Sequence, residues 1–191
     1  MKPDMLNLSL IPVPEIETKR LLLRPLIRPD AHDLFDLRTD PLVLQSLDRE
    51  PPRSLEDIYG LMDSIDDSLA ENTGINWVVS LKEDRKLIGT IGYWRIDRQN
   101  HRAEIGYMLR SDFWRKGITN ESMAAVLEYG FNSLNFHSVE ANINPSNTAS
   151  RHLLEKFGFV QEAYFRENYY AKGRFLDSAI LSLLAADFKT I

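Results

Sequence analysis

The stretch from His101 to Ile143 constrains the topology more than any other part of the chain. Residues 101–109 (HRAEIGYML) read as a strand, and residues 137–143 (HSVEANI) read as another. Between them, after Gly117, an amphipathic helix carries Met123, Val126, Leu127, Gly130 and Phe131 on one face. A helix joining two neighbouring strands makes them parallel, through a right-handed crossover. The other strands are joined by short polar turns, which makes their neighbours antiparallel. Residues 76–81 and 86–94 flank a turn at 82–85, a turn at 97–100 leads into 101–109, and the closing strands, near 159–169 and 175–184, turn at Lys172 and Gly173. The expected fold is therefore α/β (α+β). Its mixed, mostly antiparallel central sheet has one parallel pair near the middle and is flanked by helices.

Ahead of the meander, residues 20–24 form a strand stopped by Pro25, and Pro29 and Asp30 open a helix over 29–37. Asp40 and Pro41, then Pro51 and Pro52, punctuate the stretch after that helix. Ser54 is positioned to cap a second helix whose apolar residues Leu55, Ile58, Leu61, Met62, Ile65 and Leu69 recur at helical spacing. Its other face holds Glu56, Asp57, Asp63, Asp66 and Asp67, either as a solvated face or as an attractant for a polycation. Gly89 and Gly92 lie within one strand and indicate close backbone approach or a bulge. A last helix over 147–157 starts after Asn144 and Pro145. Residues 1–16 read as a tail and 17–191 as a single domain, since 191 residues suit one sizeable core.

Composition narrows the function classes. A formal net charge of −5 disfavours nucleic acid and anionic membrane as partners. The absence of cysteine excludes disulfides, a thiolate nucleophile and cysteine-ligated metals. His32, His101, His137 and His152 lack metal-ligand spacing, so no metal is expected. No apolar run approaches the ~20 residues of a membrane span. The run 5–11 is short and lacks the flanks of a signal peptide. A cytoplasmic chain acting as monomer or homodimer is expected.

Chemistry concentrates where a strand hands over to a helix, at residues 113–121 (FWRKGITNE). The amides of a helix's first turn lack intrahelical partners and carry partial positive charge. Gly117 lets backbone approach a ligand, and Arg115 and Lys116 add two charges, together describing a pyrophosphate site. Taken alone, the segment fits a turn with solvated charges better.

A resemblance supplies the rest. Residues 103–109 (AEIGYML) with 114–121 (WRKGITNE) resemble motif A of the GNAT acetyltransferases. Residues 144–150 (NPSNTAS) and 153–159 (LLEKFGF) look like motif B. Residues 17–24 (ETKRLLLR) and 87–92 (LIGTIG) are similar to the RimJ/RimL branch. The likeness spans about residues 15 to 187 with its motifs in order. It implies an acetyl-CoA cosubstrate, with pantetheine lying in a gap between splayed parallel strands and pairing with the backbone of Tyr107, Met108 and Leu109. It also implies that the pyrophosphate sits on the amides of Arg115, Lys116, Gly117, Ile118, Thr119 and Asn120, while Asn147 bonds the cofactor arm. Two departures stand out: Arg115 replaces the branch's usual small residue, and Thr119 stands where Gly or Ala is expected. Leu154 occupies the position where many members place a tyrosine that protonates the thiolate, and the resemblance assigns that role to Ser150.

Direct transfer requires a deprotonated amine. A peptide α-amino group titrates at about 7.7–8.0 and a lysine near 10.4, so a modest base serves the former. Glu104 is the candidate base, on the strand that meets pantetheine and facing away from Ala103 and Ile105; pairing with Arg102 or another cross-strand cation is the alternative. The strand amide near Met108 is the expected oxyanion donor. The expected acceptor is the N-terminal α-amino group of a ribosomal-type protein. The alternatives are a small amine, such as a polyamine or aminoglycoside, or a non-catalytic acetyl-CoA-binding regulator. Glu162, Arg166 and Glu167 either line the acceptor cleft or end a solvated strand, and Tyr164, Tyr169 and Tyr170 are equally open to packing. Trp77, Trp94, Phe131 and Phe157 are expected in the core.

Overall fold

In the computed structural model, which describes residues 4–189, the chain enters its sheet through β1 (Ile16–Glu17) and β2 (Leu21–Arg24). Pro25 has no N–H to extend the ladder, so β2 ends there. The Arg24 guanidinium turns inward and meets Asp30 through both oxygens, at 2.8 and 2.7 Å, and both residues are buried. Asp30 stands, as expected, at the start of α1 (Ala31–Thr39), but its carboxylate serves Arg24 and the Ile27 amide instead of capping the helix.

A short α2 (Pro41–Leu44) comes next, where the sequence shows only punctuation. Asp40 starts it by accepting from the amides of Leu42 and Val43, with Pro41 pre-set at the first position. Ser54 sits at the N-cap of α3 (Leu55–Ala70) without making a side-chain cap; instead Asp57 takes the Arg53 amide at 2.7 Å.

The meander is β3 (Ile75–Leu81), β4 (Asp84–Asp97) and β5 (Arg102–Leu109). Then come α4 (Ile118–Asn132), β6 (Ser138–Ile143), α5 (Thr148–Lys156), β7 (Val160–Ala171) and β8 (Arg174–Leu184). The eight strands lie in the order β1-β2-β3-β4-β5-β6-β8-β7, and every neighbouring pair is antiparallel except β5 with β6. The mixed α/β sheet with one parallel pair is as expected. The two strand glycines mark close approach, and Gly89 also borders a register shift, where β3 and β4 slip between the pairs Val79–Gly89 and Leu81–Asp84. A Cβ on Gly92 would lie 2.3 Å from the Ile75 carbonyl oxygen, and one on Gly89 would lie 2.5 Å from that of Met108.

Both sheet faces are covered. On one, Trp77, Tyr93 and Ile105 pack with Val126, Leu127 and Phe131 of α4 and with Leu154 of α5. On the other, Val78 and Leu87 pack with Leu34 and Leu37 of α1 and Ile58 and Met62 of α3. The segment expected to be a tail contributes Leu6, Leu8 and Leu10 to the first cluster, and the Leu10 amide bonds Asn72 Oδ1 at 3.0 Å. Trp77, Phe131 and Phe157 are core residues as expected. Trp94 is not: it is half-buried, and its ring lies across Gly106, where a Cβ would sit 1.7 Å from Trp94 Cη2.

Candidate active site

The parallel pair holds for only three positions, Arg102 with Ser138, Ala103 with Val139 and Glu104 with Glu140. Beyond Glu104, β5 keeps pairing with β4 as far as Leu109, and β6 keeps pairing with β8 as far as Ile143. The two strands therefore diverge, leaving the β6-facing edge of β5 without a ladder partner. The register shows which backbone groups lie on that edge. The Arg110 amide donates to the Ile88 carbonyl at 2.9 Å, and in an antiparallel ladder alternate residues face the same partner. Met108 and Gly106 thus face β4, while Ile105, Tyr107 and Leu109 face the gap. This corrects the expectation for Met108, whose amide is turned to Thr90 on β4 and cannot serve as the oxyanion donor. The Leu109 carbonyl is already taken by the Trp114 indole at 2.8 Å. Tyr107 is left as the residue that offers the gap both an amide and a carbonyl.

Below the gap, residues 115–117 make the turn into α4. Arg115 (φ 58) and Gly117 (φ 75) both adopt left-handed backbone, which explains why a small residue is comfortable at the former. Gly117 is the N-cap and supplies no side-chain cap. Among the described residues, the amides of Arg115, Lys116, Gly117, Ile118, Thr119 and Asn120 donate to no protein acceptor, and the first α4 bond runs from Glu121 N–H to the Gly117 carbonyl. Arg115 and Lys116 are exposed. Ile118 is buried in the core, so only its backbone is available to a ligand. A cleft of about 820 Å³ opens alongside, lined by Thr18, Lys19, Arg20, Gly117, Asn120 and Lys156. Unpaired amides, two cations and a helix N-terminus form a cradle that fits a pyrophosphate. The residues present thus fit acetyl-CoA at both its phosphate and its pantetheine ends.

The turn is held from outside by side chains of the 17–24 segment, of Glu121 and of Asp40. Arg20 donates to the Lys116 carbonyl at 2.9 Å and to Glu121 Oε2 at 2.7 Å, while Glu121 Oε1 also accepts from Thr18 Oγ1 and from the Arg20 amide. Partial burial raises the Glu121 carboxyl, but these bonds outweigh it and hold the group below its ordinary value. On the other side, Asp40 Oδ2 accepts from Ser111 N–H and Oγ, tying α2 to the approach of the loop. The first clamp joins the 17–24 (ETKRLLLR) and 114–121 (WRKGITNE) segments, and the partners lie 101 positions apart.

On the far side of the gap, Asn147 is the N-cap of α5 and its Oδ1 accepts the Ser150 amide at 3.0 Å. Among the described residues its NH₂ meets no acceptor, which leaves it to donate to a ligand. Ser150 is buried, and its Oγ lies 2.5 Å from the Tyr107 hydroxyl. Burial pushes that phenol up to about 12, against the opposing Ser150 bond. Leu154 is a core residue.

Glu104 lies on the opposite sheet face from Tyr107 and is buried. Its Oε2 accepts from Arg95 at 2.9 Å, whose side chain is exposed, while Arg102 pairs with Glu140. The cross-strand cation is therefore Arg95 rather than Arg102. Near the open end of the gap, Asp48 accepts from Asn144 at 2.9 Å and from the Tyr169 hydroxyl. Asp177 accepts from the Glu167 amide at 2.8 Å and from Tyr164. Burial, then the Asp48 bond, drives the Tyr169 phenol well above its ordinary value. The acidic residues of α3 are all exposed on its outer face, with Asp63 paired to Arg28. Among the described residues, no cluster of three or more His, Cys, Asp or Glu side chains is placed to hold a metal. No helix among them is long and apolar enough to cross a membrane.

Comparison with known proteins agrees with this geometry. Residues 20–160 match the family described as Acetyltransferase (GNAT) domain. The chain is 35% identical over 171 residues to the uncharacterized N-acetyltransferase p20 of Bacillus licheniformis, covering 90% of this chain and 96% of that one. It is 24% identical to the spermidine N(1)-acetyltransferase of Vibrio cholerae, over 88% of this chain and 95% of that one. The crystal structure of the ribosomal-protein-S5-alanine acetyltransferase from Vibrio fischeri superposes with a TM-score of 0.78 at 25% identity, covering 92% of this chain and 98% of that one.

Proposed function

The chain belongs to the GNAT acetyltransferase family and is an acetyl-CoA-dependent N-acetyltransferase, and from that premise we propose that its acceptor is the N-terminal α-amino group of a protein. The observation that carries the reading is the pairing of the carboxylates fixed around the splayed strands. Glu104 is held by Arg95, Glu140 by Arg102, Asp48 by Asn144 and Tyr169, and Asp177 by Tyr164 and the Glu167 amide. A polycation such as spermidine is best held by unpaired carboxylates. An α-amine has a pKa of about 7.7–8.0, is already partly neutral near pH 7.5 and needs only a weak base.

In this reading the amides at 115–120 hold the pyrophosphate, and the Tyr107 backbone aligns the pantetheine arm. Bound acetyl-CoA supplies the thioester whose carbonyl carbon is attacked. Glu104 takes the amine proton, directly or through one water. Arg95 holds its Oε2 at 2.9 Å and so fixes the carboxylate in place. Ser150 sits on the cofactor side and donates toward the departing sulfur.

Two measurements test the proposal. Incubation with acetyl-CoA and a panel of free peptides, N-terminally blocked lysine peptides, polyamines and aminoglycosides, read by mass spectrometry, should give acetyl addition on free peptide N-termini. Preferential acetylation of spermidine would overturn the acceptor assignment. Glu104→Gln should lower turnover about 10²–10⁴-fold near neutral pH, with the deficit shrinking at high pH as the amine arrives neutral. A stable variant with wild-type turnover would move the base elsewhere.

A further inference from the structure

The contact between Tyr107 and Ser150 joins β5 to the first turn of α5 across the diverging strands, 43 positions apart in sequence. Ser150 is 9% exposed, and Tyr107 packs against the main core cluster. Both groups are thus fixed in place before any ligand arrives. Either hydroxyl could donate on distance alone. The phenol is the more acidic of the two and is a neutral O–H at any working pH, so it is the better donor. A serine that receives a hydrogen bond from one side keeps its own hydrogen for the other.

We propose that Tyr107 is a positioning residue for acetyl transfer: its hydroxyl donates to Ser150 Oγ and thereby turns the Ser150 hydrogen toward the sulfur of the departing coenzyme A. The proposal rests on the role assigned to Ser150 in the proposed function and extends it to a second side chain. When the tetrahedral adduct collapses, the C–S bond breaks and its electron pair stays on sulfur. The amine has lost its proton to the base. The thiolate leaves as an anion, stabilised by the Ser150 hydrogen bond, and takes a proton from solvent after release. Two hydroxyls in series polarise one another, so the bond to sulfur strengthens as charge builds there. No proton need leave Tyr107.

The test uses the full chain with Tyr107→Phe, Ser150→Ala and the double variant, measured for steady-state turnover and for acetyl-CoA affinity by calorimetry. Tyr107→Phe keeps the ring and its packing. It should lower kcat about tenfold or more while leaving acetyl-CoA affinity within about twofold, because the interaction grows only as the transition state forms. If Tyr107 acts through Ser150, the double variant should be no slower than Ser150→Ala alone. Wild-type kcat in Tyr107→Phe, or deficits that multiply in the double variant, would overturn the inference while leaving Ser150 in place. Wild-type kcat in Ser150→Ala would remove the Ser150 assignment and this inference together. A melting temperature that falls in Tyr107→Phe with kcat unchanged would reduce the contact to packing.

Discussion

Two strand-to-helix corners of this chain use arginine in opposite ways. At the corner from β2 to α1, Arg24 is saturated: it bonds both oxygens of Asp30 and the carbonyls of Arg85 and Pro25, and it is buried. At the corner from β5 to α4, Arg115 and Lys116 are exposed beside six amides that donate to no protein acceptor among the described residues. The first corner has no bonding capacity left over and can only hold the chain together. The second keeps its capacity in reserve at the cost of left-handed backbone at Arg115. Side-chain charge alone does not identify a binding site; what does is charge whose local partners are missing.

The largest test of that contrast is Asp30→Ala. Leaving Arg24 buried without its carboxylate should cost about 3–5 kcal/mol of folding stability by urea denaturation. Acetyl-CoA affinity of the folded protein should not change. A loss of affinity on that scale would mean that the first corner is not purely structural. Gly117→Asp should act mainly on affinity. Asp tolerates left-handed backbone better than most residues, and a Cβ there meets only Arg20, at 3.4 Å. The left-handed backbone still strains any residue but glycine, so stability should fall by about 1–2 kcal/mol, while acetyl-CoA affinity of the folded protein falls at least about a hundredfold, the size expected of a like charge about 5 Å from a phosphate at an effective dielectric near 20. Unchanged affinity by calorimetry would remove the loop from the site.

The smallest effect concerns the clamp behind that loop. Bonds from Thr18 and Arg20 hold the Glu121 carboxyl below its ordinary value despite the opposing pull of burial. A depressed carboxyl contributes stability that is present above its unfolded pKa, about 4.3, and is lost as pH falls through the folded value. The melting temperature of wild type should therefore drop more steeply below about pH 4.3 than that of Glu121→Gln. Parallel acid limbs for the two proteins would show that the clamp contributes nothing measurable.

The crossover was legible because it depends on local periodicity: residues 101–109, the helix after Gly117 and residues 137–143 each carry their own pattern. Gly117 was legible for the same reason, as a single residue at a recognisable junction. What eluded the sequence was long-range pairing. Nothing local says that Glu121 reaches Arg20, that Asp40 reaches Ser111, or that the cation beside Glu104 is Arg95. The last arises because Arg95 sits in left-handed backbone where the β4–β5 register shifts, an irregularity that alternation cannot foresee. The role assigned to Met108 failed for a related reason: a strand residue has two sides in the sheet plane, and only the hydrogen-bond register tells which one faces the gap. Trp94 left the core because Gly106 offered its ring a slot, a fit between neighbouring strands that hydrophobicity does not encode.

The short parallel pairing has a mechanical consequence. Five strands, β1 to β5, form one plate and three, β6, β8 and β7, form another, and the backbone seam between the plates is three residue pairs long. Past that seam the plates are tied by side chains, through the core cluster that α4 and α5 share with both and through the Tyr107–Ser150 contact across the gap. An extended arm bonded to the free edge of β5 would take the place of the missing ladder beyond Glu104. Slowed exchange of the Tyr107 amide would then report the cosubstrate as directly as a binding isotherm does.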